Sequence, residues 1–308
     1  MQANGVRLKP DPQRLAGIAF VVSSATAFGA MAIFARYAYG DGVDTATLLA
    51  LRFSIAGAVL VLACIVTGAA WPRGRDLATL VALGAIGYAC QAASFFTALT
   101  LAPAGLVALL LYLNPAIVAV LAAWRGHERL VARTIVALVV ALAGTALTVG
   151  PALSGGGNQD VQAAGVALGV LSALIYAVYI VASTGVASRV DPLAMSTVVI
   201  ASAAVPFAAI ALVRGPALPA TAVGWSAIVA IALVSTVAAI TWFFAGLKRI
   251  GPTQASTLST VEPAVTVALA AIVLDERIAA IQLAGGALIC AAVVLLARAG
   301  PRERSKAT

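Results

Sequence analysis

Charge is what this chain has least of. Only 10% of its 308 residues are Asp, Glu, Lys or Arg, while 62% are hydrophobic. Water-soluble domains run about 25% charged and about 45–50% apolar. A chain of this size still exposes much of its surface to its surroundings, so those surroundings are lipid. This excludes a cytosolic enzyme and leaves no room for a separate soluble domain. Histidine is almost absent: His127 has no second His and no Cys beside it, so no metal centre is expected. The three cysteines, Cys64, Cys90 and Cys290, each lie within an apolar run, which excludes a secreted disulfide scaffold. The net charge of +8 comes from basic residues standing singly or in twos and threes, without interleaved aromatics. That is not a nucleic-acid face. No Gly-rich loop ending in Lys-Ser/Thr is present, so the chain does not hydrolyse ATP itself, and no cofactor is expected. The first 14 residues are polar and the following run exceeds a signal-peptide core, so no cleaved signal is read there.

What is there is a series of apolar runs. A spanning helix needs about 20 mostly apolar residues, and ten candidate spans emerge. They are Leu15–Ala38, Thr45–Thr67, Leu77–Leu99, Gly105–Trp124, Thr134–Val149, Ala163–Ala187, Leu193–Val213, Ala222–Leu247, Thr253–Leu274 and Ile278–Ala297. The breaks combine charge with helix breakers, as at Trp71-Pro72-Arg73, Asp191-Pro192 and Lys248–Pro252. With the N-terminus inside, every Lys and Arg except Arg36, Arg52, Arg214 and Arg277 falls on the cytoplasmic side. The positive-inside rule then puts both termini in the cytoplasm. The expected organisation is a cytoplasmic N-tail (1–14), a first repeat (15–149), an external linker (150–162), a second repeat (163–298) and a cytoplasmic C-tail (299–308).

The two repeats are visible by sliding the sequence against itself. At an offset of 148, Phe95-Phe96 meets Phe243-Phe244, Pro115-Ala116 meets Pro263-Ala264, and Glu128-Arg129 meets Glu276-Arg277. Five spans per half is an odd number, so the halves have opposite topology. The expected fold is therefore an all-α membrane protein of ten transmembrane helices in two inverted five-helix repeats. Secondary transporters are built this way, with the substrate site near the midplane between repeats.

The repeated residues also carry a family likeness. Ala98-Leu99, Ala102-Pro103-Ala104, Asn114-Pro115 and Glu128 resemble the EamA signature of the drug/metabolite transporter superfamily. Gly246-Leu247, Gly251-Pro252, Glu262-Pro263, Asp275-Glu276 and Gln282…Gly285 give it again. The first half departs from the second in carrying Asn114 opposite Glu262, and His127 before Glu128. The resemblance implies a ten-helix transporter of the bacterial inner membrane, whose cavity is lined mainly by spans one, three, four, six, eight and nine. Within the family the chain is most similar to YddG-type exporters of amino acids, including aromatic ones.

A polar residue at mid-span is costly and marks a candidate site. Glu262 stands about halfway along span nine, and Pro263 after it frees the carbonyl of Ser259. A carboxylate beside a free carbonyl suits a cation, an ammonium group or a proton; the alternative is a purely structural carboxylate. Asn114-Pro115 is the counterpart in the first half. Arg52 lies about 12 Å along span two at 1.5 Å per residue. It either attracts an anion or snorkels and caps neighbouring helix ends, and the structural role is the stronger reading.

Helical spacing sorts other polar and aromatic residues into stripes. Gly84, Tyr88, Gln91 and Phe95 share a face of span three, and Ser172, Tyr176, Tyr179 and Ser183 a face of span six. Ser24, Phe28 and Met31 follow on span one, Thr236, Ala239 and Trp242 on span eight, and Ser256, Ser259 and Thr260 on span nine. Tyr112 and Trp124 are placed at the interface as anchors. The expected substrate-binding residues are thus Tyr88, Gln91, Phe95, Asn114, Tyr176, Tyr179, Trp242, Ser259 and Glu262, with Pro115 and Pro263 as helix hinges. Ala137, Ala141, Gly144, Gly285 and Gly286 give spans five and ten close-packing faces, for the bundle or for a dimer contact. The expected partners are a small-molecule substrate and the bilayer, in a monomer or homodimer. An exporter of cationic drugs or nucleosides on the same fold is the alternative. A membrane enzyme lacks its nucleophile–base pair, and a pore lacks charge rings or a carbonyl filter.

Overall fold

The computed structural model describes residues 12–124, 132–153, 162–259 and 261–298. Most of the expected N-tail, the loop with His127 and Glu128, residues 154–161 of the linker, Thr260 and the C-tail lie outside the described residues.

Among the described residues the first half runs α1 (Pro12–Gly29), α2 (Met31–Gly40), α3 (Thr45–Thr67), α4 (Gly74–Ala82), α5 (Ala89–Leu101), α6 (Ala104–Leu111), α7 (Asn114–Trp124) and α8 (Ala132–Leu153). The second runs α9 (Ala163–Ala187), α10 (Pro192–Arg214), α11 (Ala222–Ala232), α12 (Ala239–Ser259), α13 (Val261–Val273) and α14 (Ala280–Arg298). Two stretches of wider π-helix, Leu83–Tyr88 and Leu233–Ala238, join α4 to α5 and α11 to α12. No strand occurs among the described residues.

Acidic side chains cap two of the helices, one of them at the Asp191-Pro192 break. Asp44 accepts from the Thr47 amide at 2.8 Å to start α3, and Asp191 accepts from the Leu193 amide at 2.9 Å to start α10. Gly68, in the left-handed region at φ 65°, ends α3. Two expectations change here. The fourth span is not one helix but two, interrupted at Tyr112-Leu113. The break expected at Lys248–Pro252 is absent, because α12 stays helical through it. An internal proline removes one amide donor, which a membrane helix tolerates when neighbours re-satisfy the backbone.

Among the described residues six stretches are long and apolar enough to cross a membrane: Pro12–Gly40, Thr45–Thr67, Gly74–Leu101, Ala163–Ala187, Pro192–Arg214 and Ala222–Ile250. Ala104–Val118, which contains the Tyr112-Leu113 interruption, Ile135–Thr148, Val261–Val273 and Ala280–Leu295 are shorter apolar stretches. Side chains such as Val213 (88% exposed) and Ile272 (77%) point outward, as they do against lipid.

The packing exchanges the two halves. Helix α1 lies along α12, and its counterpart α9 lies along α5; α3 pairs with its own counterpart α10, and α8 with α14. Each half therefore completes the other. Two seams bring backbones together: a Cβ added at Gly246 would meet the Gly17 carbonyl at 2.8 Å, and one at Gly285 the Gly144 carbonyl at 2.5 Å. The small residues of α8 and α14 thus pack on each other inside the chain.

Both ends of the bundle are tied by charge. At one, Glu276 accepts from the Ala104 and Gly105 amides at 2.7 and 3.1 Å, and Arg36 approaches it at 3.6 Å. That carboxylate caps α6 from the other half. At the opposite end Arg189 pairs with Asp76. Gly285→Leu should drive α8 and α14 apart and lower stability by about 1–3 kcal/mol. Thermal unfolding of the purified protein in detergent reads this out as a lower midpoint.

Candidate functional site

Between the halves lies a cavity of about 560 Å³. The first half contributes Ser24, Arg52, Tyr88, Gln91, Tyr112 and Asn114 to its wall; the second contributes Tyr176, Phe243, Phe244, Ser259 and Glu262. A mostly apolar wall with a few convergent polar groups is the usual form of a small-molecule site.

One end of the wall is built around the helix interruptions. Pro115 and Pro263 each lack the amide that would bond the carbonyl four residues earlier, at Leu111 and Ser259. In the first half Asn114 solves this locally, its side-chain amide donating to the Leu111 carbonyl at 2.8 Å. Glu262, at the same repeat position, has a carboxylate and no such amide. There the donor comes from the other half: the Tyr112 hydroxyl lies 2.8 Å from the Ser259 carbonyl and 2.9 Å from Glu262 Oε2. One hydroxyl proton thus faces two acceptors, so this end is rich in lone pairs and poor in donors.

The other end is built around Arg52. It is 2% exposed and does not snorkel. Its Nε donates to the Thr236 hydroxyl at 3.0 Å, and Nη2 reaches the Tyr88 hydroxyl at 3.5 Å. Thr236 in turn donates to the Ile231 carbonyl, five residues back, at 2.9 Å. Tyr88 closes the first π-helical stretch and Thr236 lies inside the second. Such stretches are rare and frequent at functional sites, and here both deliver a partner to the same guanidinium. The Phe53 and Phe96 rings flank it, 4.9 and 5.1 Å from its central carbon.

Aromatic rings connect the ends. Phe53 meets Tyr88 at 5.5 Å, Tyr88 meets Tyr179 at 5.9 Å, and Tyr179 stacks on Tyr176 at 6.1 Å. Gln91 donates to the Ser172 hydroxyl at 3.0 Å, which ties the stripes of spans three and six.

The expected site residues divide accordingly. Tyr88, Gln91, Asn114, Tyr176, Ser259, Glu262 and Pro115 line the cavity. Phe95 is buried against Phe96, and Tyr179 stands behind Tyr88 and Tyr176. Pro263 is buried beside Glu262 and is not on the wall. Trp242 is 36% exposed and also off the wall; its neighbours Phe243 and Phe244 are on it. One residue turns a helix face by about 100°, and the repeat partner of Phe95 is Phe243. Sequence reasoning gave Arg52 a structural role and Tyr112 an interfacial one. The signals were the buried depth of Arg52 and the position of Tyr112 three residues before Pro115.

Apolar spans folded as two mutually completing halves around a mostly apolar cavity with a few polar groups define a multi-pass membrane protein of the transporter class. The model of the EamA-like transporter family matches residues 15–150 and 163–298. The chain belongs to that family. It is 27% identical over 290 residues to a probable terminal-alkyne amino-acid exporter of Streptantibioticus cattleyicolor, covering 94% of each chain. A solved crystal structure 22% identical in sequence matches with a TM-score of 0.66, covering 94% of this chain and 99% of its own, and shares the fold.

Tyr112→Phe leaves the Ser259 carbonyl without its donor and should lower stability by about 1–3 kcal/mol. Thermal unfolding of Tyr112→Phe beside wild type measures it.

Proposed function

We propose that this protein exports amino acids, including aromatic ones, or similar small metabolites across the bacterial inner membrane by alternating access. Ten spans in two inverted five-helix halves would rock about the cavity, with Pro115 and Pro263 at the flexing points. The observation that carries this reading is the cavity itself, walled by both halves and holding Glu262 beside an interrupted helix. Half-helix ends and unwound backbone at the repeat interface are where such proteins bind substrate and coupling ion. The exporter of Streptantibioticus cattleyicolor supports the amino-acid substrate. Tyr88, Gln91, Tyr176 and Phe243 would hold the apolar or aromatic body; Asn114, Ser259 and Glu262 would meet polar groups.

Glu262 would take the substrate's ammonium group or a coupling proton. The end of the bundle with Arg73, Arg75, Arg189, Lys248 and Arg249 would face the cytoplasm, with both chain termini. The carboxylate and the aromatic rings also suit a cationic drug, the second reading, but Arg52 in the same wall repels a plain cation.

The experiment is flux in proteoliposomes of the purified protein. Radiolabelled aromatic, aliphatic, acidic and basic amino acids, a nucleoside and a quaternary amine are each tested with and without a pH gradient. Saturable amino-acid flux is expected; flux confined to the quaternary amine or nucleoside overturns the substrate. Glu262→Gln should cut flux by at least about tenfold, equivalent to about 1.4 kcal/mol, and abolish its response to the gradient. Unchanged flux and unchanged pH response would remove Glu262 from the mechanism.

A further inference from the structure

A guanidinium buried in a membrane bundle is costly unless it is paired. Among the described residues two ion pairs occur, Arg36 with Glu276 and Arg189 with Asp76, and neither involves Arg52. What Arg52 has instead is neutral: the Thr236 and Tyr88 hydroxyls and the faces of Phe53 and Phe96. These groups hold its plane and leave its charge uncompensated. It is one of the residues that line the cavity. Its Nε is committed to Thr236 and Nη2 reaches Tyr88 at 3.5 Å, so Nη1 and the second Nη2 proton are the donors left to meet an anion. Arginine's planar fork matches a carboxylate through two parallel N–H···O bonds.

We propose that Arg52 is the anchor for the substrate's carboxylate. Resting on the amino-acid reading above, this puts the carboxylate at the donor-rich end, where it neutralises the buried guanidinium, with the apolar or aromatic body beside Tyr88 and Tyr176. A plain cation gains nothing there and is repelled by Arg52.

The test is equilibrium binding to the full-length protein in lipid nanodiscs. Phenylalanine, leucine and glutamate are each compared with the analogue carrying an amide at the α-carboxyl. Charge-assisted hydrogen bonds contribute enough that the acids should bind about 10- to 100-fold more tightly than their amides. Arg52→Gln should erase that preference, and Arg52→Lys should restore part of it. A merely structural Arg52 predicts lower thermal stability with the preference intact, and that result overturns the proposal. The wild-type comparison stands even where Arg52→Gln does not fold. Equal binding of acid and amide, or no saturable binding of any of the three acids, also overturns it. Proteoliposome flux separates the two readings. Acid-selective binding without flux sinks export and upholds the anchor, whereas flux that accepts acid and amide equally upholds export and sinks the anchor.

Discussion

A carbonyl freed by proline at membrane depth cannot be left to lipid: a neighbouring group or a cavity between helices has to satisfy it. This constraint shapes the centre of the molecule. Pro115 and Pro263 each expose one carbonyl, and the two halves satisfy theirs differently. Asn114 serves Leu111 within its own helix pair; Tyr112 crosses between halves to serve Ser259. The difference follows from one substitution in the repeat. With Glu at position 262 in place of an amide, the donor has to be borrowed. The borrowed hydroxyl then brings the carboxylate, the carbonyl and the cavity wall together.

The same logic governs the opposite end. The π-helical stretches widen α4–α5 and α11–α12 at related places, and the groups they present converge on Arg52. Neither stretch would hold the guanidinium alone. Between the two ends the rings of Phe53, Tyr88, Tyr179 and Tyr176 form a continuous apolar path. Chemistry that differs at the two ends is thus carried on a backbone plan that is repeated.

Much of the fold was legible in the sequence because hydropathy and repetition are read along the chain. The offset of 148 anticipates that α1 and α9, and α3 and α10, are counterparts, and their packing exchanges accordingly. The charged break at Asp191-Pro192 anticipates the cap that Asp191 makes. What was not legible depends on how a helix is wound. Hydropathy does not distinguish one helix over 105–124 from two meeting at Tyr112, so Tyr112 reads as an interfacial anchor. Depth along span two does not say which neighbours surround Arg52, since those come from residues 36 and 184 positions away. Trp242 stands one residue before the wall positions Phe243 and Phe244, a distinction that stripe spacing does not make because it allows a step of three or four.

The Tyr112 bridge has a mechanical meaning. Its donor belongs to one half and its acceptors to the other, so the bond measures how far apart the halves stand. A displacement of about 1 Å takes a 2.8 Å contact out of hydrogen-bonding range and strands a carbonyl at a cost of about 1–3 kcal/mol. Any molecule that brings its own N–H to that carbonyl removes the penalty. Occupancy and separation of the halves are then linked in one balance: the solute that fills the gap is also the one that makes the gap easier to open.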